Sequence, residues 1–178
     1  MPRFIAFLRA INVGGHTVKM DYLRSIFESI GFSNVETFIA SGNVIFESKA
    51  KDTKPLEKKI EQTLQKELGY EVATFIRTPI ELAGIAKYQA FTPTEIAKSA
   101  ALNIAFVANP IDATAKQKLL ARQTDIDTFH VHDREIYWLC RQKQSDSKFS
   151  NAVLEKAIGQ PSTLRGFNTI EKMAAKYS

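Results

Sequence analysis

Val35-Glu36-Thr37-Phe38-Ile39 and Val44-Ile45-Phe46-Glu47, joined through Ser41-Gly42-Asn43, decide the fold. Both runs are short and rich in β-branched and aromatic residues, and the connection between them is a turn signal, so the pair reads as a hairpin. Working back toward the N-terminus, Met20, Leu23, Ile26, Phe27 and Ile30 recur at helical spacing, and Gly31 is placed to stop that helix. Before it lie a loop over residues 12–17 centred on Gly14-Gly15 and a short apolar run over 4–9 that reads as a buried strand. Working forward, Leu56, Ile60, Leu64 and Leu68 mark an amphipathic helix closed by Gly69, and residues 72–77 form another strand. The order is βαββαβ, which predicts an α+β, ferredoxin-like half.

The rest of the chain echoes this half. Ile104-Ala105-Phe106-Val107 parallels Ile5-Ala6-Phe7-Leu8. A helix over 116–121 follows, then a hairpin of strands 127–131 and 135–140 turning at Asp133-Arg134, in which Ile136-Tyr137 matches Ile45-Phe46. Phe149, Val153, Leu154, Ala157 and Ile158 form a helix ended by Gly159, a short strand spans 162–165, and a last helix spans 169–177 with Asn168 as cap and Glu171 completing a capping box. The pattern is a degenerate repeat with one extra helix. Between the halves, Thr78-Pro79-Ile80-Glu81 and Thr92-Pro93-Thr94-Glu95 are both helix starts, with Thr as cap, Pro at the first helical position and Glu closing a box. The expected organisation is a ferredoxin-like half over 1–78, a helical connector over 79–100, and a second ferredoxin-like half with a C-terminal helix over 101–178.

Composition narrows the class. Of 178 residues, 44% are hydrophobic and 24% charged, which fits a globular chain and excludes a disordered one. The apolar run near Met1 is too short for a signal core or a membrane span, so the expectation is a cytoplasmic protein without membrane contact. Cys140 is the single cysteine, which excludes an intrachain disulfide and a cysteine metal cluster. In an apolar strand it reads as a small buried residue. The net charge of +5 permits nucleic acid or phosphorylated ligands. It does not require them, because Lys54, Lys58, Lys59 and Lys66 alternate with Glu57, Glu61 and Glu67 as on a solvated helix face.

The run Leu8-Arg9-Ala10-Ile11-Asn12-Val13-Gly14-Gly15, with Val18, Met20 and Leu23 after it, resembles the opening of the bacterial domain-of-unknown-function 1697 family. Ser41-Gly42-Asn43-Val44-Ile45-Phe46 is similar to its second motif. Arg77-Thr78, Tyr137, Ser147-Lys148 and Thr163-Leu164-Arg165 with Asn168-Thr169 are similar to later ones, so the resemblance spans nearly the whole chain. One departure is visible: the family usually carries Asn after the late Arg, and Gly166 stands there. The resemblance implies a two-part ferredoxin-like fold and no particular activity.

The fold places candidate residues. In a sheet ordered 4-1-3-2, the first and second strands run the same way. That brings Arg9, Asn12, Gly14, Gly15 and His16 to the sheet end that carries Ser41, Gly42 and Asn43. Adjacent glycines permit left-handed backbone and close approach of a ligand, and their N–H groups near a helix start can form an anion nest. Arg9 can meet a phosphate or carboxylate bidentately. The bland alternative is that Gly14-Gly15 only turns the chain and Asn43 only supports the hairpin. Lys148, with Ser147 as helix cap, is a second candidate, since a cation at a helix start opposes the helix dipole and a bound anion would relieve the conflict. Arg165 with Thr163 is a third.

Other signals are weaker. His130 and His132 point to one face of a strand near Asp133, but a zinc site needs three or four protein ligands. Common nucleotide-binding and hydrolase motifs are absent. The run over 43–47 lacks the basic-aromatic pattern of RNA-reading sheets, and strands apolar on both faces point to a covered sheet. The leading expectation is a binding protein for a phosphorylated small molecule or a nucleic acid, with no cofactor. The alternatives are an enzyme acting on such a ligand, with His16 as general base, and an interaction module or homo-oligomer.

Overall fold

A computed structural model describes residues 1–11, 17–39 and 42–178. The chain divides into two compact units. One comprises Met1–Leu82 with Tyr177–Ser178, the other Ala83–Lys176.

The first unit contains β1 (Arg3–Leu8), α1 (Met20–Ser29), β2 (Ser33–Thr37), β3 (Asn43–Glu47), α2 (Thr53–Leu68) and β4 (Thr74–Arg77). Its antiparallel sheet has the order β2-β3-β1-β4, the order read from the sequence. The register pairs Ile5 with Ile45 and Arg77, and Phe7 with Asn43 and Phe75. One face carries Phe4, Ala6, Leu8, Val44, Phe46 and Ile76, and it packs with Leu23, Phe27, Ile60 and Leu64 of the two helices. Phe46 centres this core, its ring 4.4 Å from that of Phe32 and 5.6 Å from that of Phe27. The other face, with Ile5, Phe7, Ile45, Phe75 and Arg77, is buried as well, which explains why these strands are apolar on both sides.

After α3 (Pro79–Lys87) and α4 (Pro93–Ala97), the second unit builds β5 (Ala101–Phe106), α5 (Ala113–Leu120), β6 (Asp127–His132), β7 (Glu135–Cys140), α6 (Asn151–Ile158), β8 (Thr163–Gly166) and α7 (Phe167–Tyr177). Its sheet order, β6-β7-β5-β8, reproduces the first. The architecture is therefore α+β, two ferredoxin-like halves in tandem. Both predicted connector starts form. Thr78 and Glu81 exchange side-chain and main-chain hydrogen bonds, and Thr92 and Glu95 make a full capping box with Pro93 at the start.

Three readings need correction. Ile104 pairs with Tyr137 as Ile5 pairs with Ile45, so Tyr137 corresponds to Ile45 and Trp138 to Phe46, one residue from the match drawn on composition. A one-residue shift exchanges the two sheet faces, and Trp138 accordingly packs in the helix-covered core at 4.9 Å from Phe149. Ser147 does not cap a helix at Lys148. Its hydroxyl donates to the buried Asp127 carboxylate at 2.7 Å and accepts from the Phe149 N–H, while Ser150 caps α6. Phe149 thus precedes the helix. Asn168 lies inside the first turn of α7 and is not its cap, because the strand runs directly into the helix at Phe167.

Candidate functional site

The end of β1 meets the start of β3 and the start of β4. The Leu8 N–H donates to the Gly42 carbonyl at 2.9 Å, and the Arg9 N–H donates to the Ala73 carbonyl at 2.9 Å. The Tyr70 hydroxyl donates to the Ile11 carbonyl at 3.1 Å, and burial pushes that hydroxyl's pKa up. These bonds fix the main chain from the end of β1 to Ile11.

Gly42 has φ +83°, and a Cβ there would lie 2.8 Å from Cγ2 of Ile11 and 3.2 Å from Cβ of Leu8. Only glycine permits this approach. Two further residues at the same end adopt left-handed backbone without being glycine: Ala10 at φ +54° and Ile39 at φ +61°. For a β-branched residue this conformation is an outlier that costs about 1–3 kcal/mol. Ile39 is also 52% exposed, so packing does not repay the strain. Asn43 is fully buried, and its side-chain amide donates to the Phe38 carbonyl at 3.0 Å, closing the turn.

Of the candidates read from the sequence, Arg9, Gly42 and Asn43 stand together at this end. Asn12, Gly14, Gly15, His16 and Ser41 lie outside the described residues. Lys148 and Arg165 belong to the second unit. Lys148 is exposed and lines a cavity of 260 Å³ with Arg122 and Thr124. Arg165 is buried, its guanidinium donating to the Thr163 hydroxyl at 2.7 Å and the Leu164 carbonyl at 2.8 Å. Desolvation pushes its pKa down to about 10, so the group stays cationic at neutral pH. Gly166 borders a cavity of 350 Å³, with open space where a side chain would begin.

His130 and His132 do share a face, and Tyr88 occupies it. The Tyr88 hydroxyl lies 2.6 Å from Nε2 of His130, and its ring stacks on His132 at 3.9 Å and 15°. The Tyr137 hydroxyl donates to the Ile85 carbonyl at 2.9 Å. Residues 85–88 are thereby held against the sheet of their own unit, a long-range arrangement that local sequence does not announce. Among the described residues, no group of three or more His, Cys, Asp or Glu is placed to hold a metal ion. The aromatics of the central strands, Phe4, Phe7, Phe46 and Trp138, are all buried and offer no stacking platform. Sequence reasoning also missed the cleft walled by Tyr88, Phe91 and Phe167, because Asn168 and Glu171 read there as a helix start.

The fold defines the class, an α+β protein of two ferredoxin-like halves. The chain belongs to the family described as "Protein of unknown function (DUF1697)", whose model matches residues 1–137. The resemblance at Ser147-Lys148 and Thr163-Leu164-Arg165 falls outside that match. In structure the chain is similar to the conserved bacterial protein SP0830 from Streptococcus pneumoniae, with a TM-score of 0.75, 20% identity and 99% of each chain covered. At that identity the likeness speaks to the fold. None of the curated proteins matches the chain in sequence. Among the described residues no helix is long and apolar enough to cross a membrane.

Proposed function

We propose that this protein is a cytoplasmic binding protein for a phosphorylated small molecule or a nucleic acid, and that the ligand's anionic group docks at the sheet end that carries Arg9, Gly42 and Asn43, with Asn12, Gly14, Gly15 and Ser41 as further ligand-binding residues. The observation that carries the reading is strain. Ala10, next to Arg9, and Ile39, in the connection from β2 to β3, hold left-handed backbone. Such backbone persists where the surroundings over-determine it, and it concentrates at ligand clamps and active sites. The net charge of +5 favours an anion at long range, and a guanidinium suits a phosphate's paired oxygens. Lys148 and Arg165, in the second unit, are proposed as further ligand-binding residues.

The test compares thermal shifts of the wild type and Arg9→Ala against nucleotides, sugar phosphates and short oligonucleotides. A ligand at a hundred times its dissociation constant stabilises by about 2.7 kcal/mol. The expected result is a shift in the wild type that disappears in Arg9→Ala, with a steep salt dependence if the ligand is nucleic acid. A ligand shift unchanged in Arg9→Ala would refute the site.

A further inference from the structure

We infer that the second unit carries a separate binding site for an uncharged planar heterocycle bearing an exocyclic amine, the chemistry of an adenine-type nucleoside. The site is a cleft of about 460 Å³, bordered by residues 86–97, Leu102, Tyr137 and the first turn of α7. That volume lies within the range of small-molecule pockets, about 300–1,000 Å³. A neighbouring cavity of 350 Å³ shares Ile96, Leu102, Phe167 and Asn168 with it, so the space continues past a base and leaves room for a sugar.

Three aromatic rings, Tyr88, Phe91 and Phe167, wall the cleft. Tyr88 is pre-set, since His130 holds its hydroxyl and His132 stacks on its ring. A wall fixed before binding spares the ligand the entropy of ordering it. The charged lining is balanced, one Lys87 against one Glu171, so the cleft does not select an anion.

The polar groups choose the ligand's edge. Asn168 and Glu171 are three residues apart on α7 and so lie on one helix face. Both are exposed, and neither makes a side-chain hydrogen bond or ion pair among the described residues. An amide offers a donor and an acceptor, and a carboxylate only accepts. That combination matches an amine donor beside a ring-nitrogen acceptor, the pattern adenosine presents. Purine riboside, of nearly the same shape, lacks the amine and would leave the carboxylate without a donor. The inference does not rest on the anion site proposed above.

The experiment titrates adenosine and purine riboside into the full-length protein and follows amide chemical shifts, for the wild type, Glu171→Ala and Phe167→Ala. In the wild type, adenosine should bind about tenfold tighter than purine riboside, the scale of one hydrogen bond to a charged acceptor. Glu171→Ala, an exposed substitution, should keep the fold and erase the preference. Phe167→Ala should weaken both nucleosides, with circular dichroism checking that it still folds. No shifts around Phe167 and Asn168 with either nucleoside, equal affinity for the two in the wild type, or a preference that survives in Glu171→Ala would each overturn the inference.

Discussion

The Glu57 carboxylate accepts the main-chain N–H of Ile76 at 2.8 Å. One helical turn later, Glu61 accepts the N–H of Thr74 at 3.0 Å. β4 is an edge strand whose inner side pairs with β1, so these N–H groups would otherwise lack a ladder partner. Two carboxylates at i and i+4 on α2 thus replace a neighbouring strand. In the second unit Glu155 of α6 does the same for the N–H of Ser162, just before β8, at 2.8 Å.

Replacing Glu57 by Ala leaves a buried N–H unsatisfied and should destabilise the protein by about 1–3 kcal/mol in urea unfolding. Glu57→Gln keeps an acceptor oxygen and should lose less. Glu61 has its pKa raised, burial being the main cause. The folded state therefore holds the proton more tightly than the unfolded one, so the group opposes folding once it is ionised. Glu61→Gln should gain on the wild type in melting temperature as pH rises from acid to neutral. The difference should vanish below the ordinary carboxylate range.

Gly42 and Gly69 share φ +83°, but only Gly42 has a side-chain carbon within 3 Å of the place a Cβ would take. Gly69→Ala should carry the left-handed backbone penalty alone, about 1–2 kcal/mol. Gly42→Ala adds the collision with Ile11 and should be the more destabilised in the same denaturant titration.

Asp127 is buried and accepts from Nε1 of Trp138 at 2.8 Å and from the Ser147 hydroxyl at 2.7 Å. Asp127→Ala removes both acceptors. The expected loss is about 1–3 kcal/mol, with a change in the emission of the chain's single tryptophan.

Burial lowers the pKa of His130, with the His132 and Lys116 charges adding to the effect. Its contribution to stability is therefore full above the ordinary histidine value and is lost as pH falls toward the lowered one. A melting curve series across mildly acid pH should show this loss in the wild type, and His130→Gln should flatten it.

Local signals were legible in the sequence where the physics is local. The boxes at Thr78 with Glu81 and Thr92 with Glu95 depend on three-residue spacing, and both formed. The sheet order followed from the element order, and with it the meeting of Arg9 with Gly42 and Asn43. Ser147 was misread because its choice between capping a helix and bonding Asp127 depends on a carboxylate twenty residues earlier in the chain. The equivalence of Tyr137 with Ile45 escaped because register is set by main-chain pairing, to which two neighbouring apolar residues contribute equally. The strain at Ile39 had no signal, since isoleucine is the residue least expected at positive φ. The Tyr88 cleft needed partners more than forty positions away.

Trp138 and Cys140 lie two residues apart on β7, and both are buried in the helix-covered core of the second unit. They are the chain's only tryptophan and only cysteine. Tryptophan fluorescence and thiol labelling, usually taken as independent witnesses of unfolding, therefore watch the same few ångströms here. A denaturation curve on which the two coincide says nothing about cooperativity between the units. The first unit holds neither reporter, so its opening must be followed through its backbone signal.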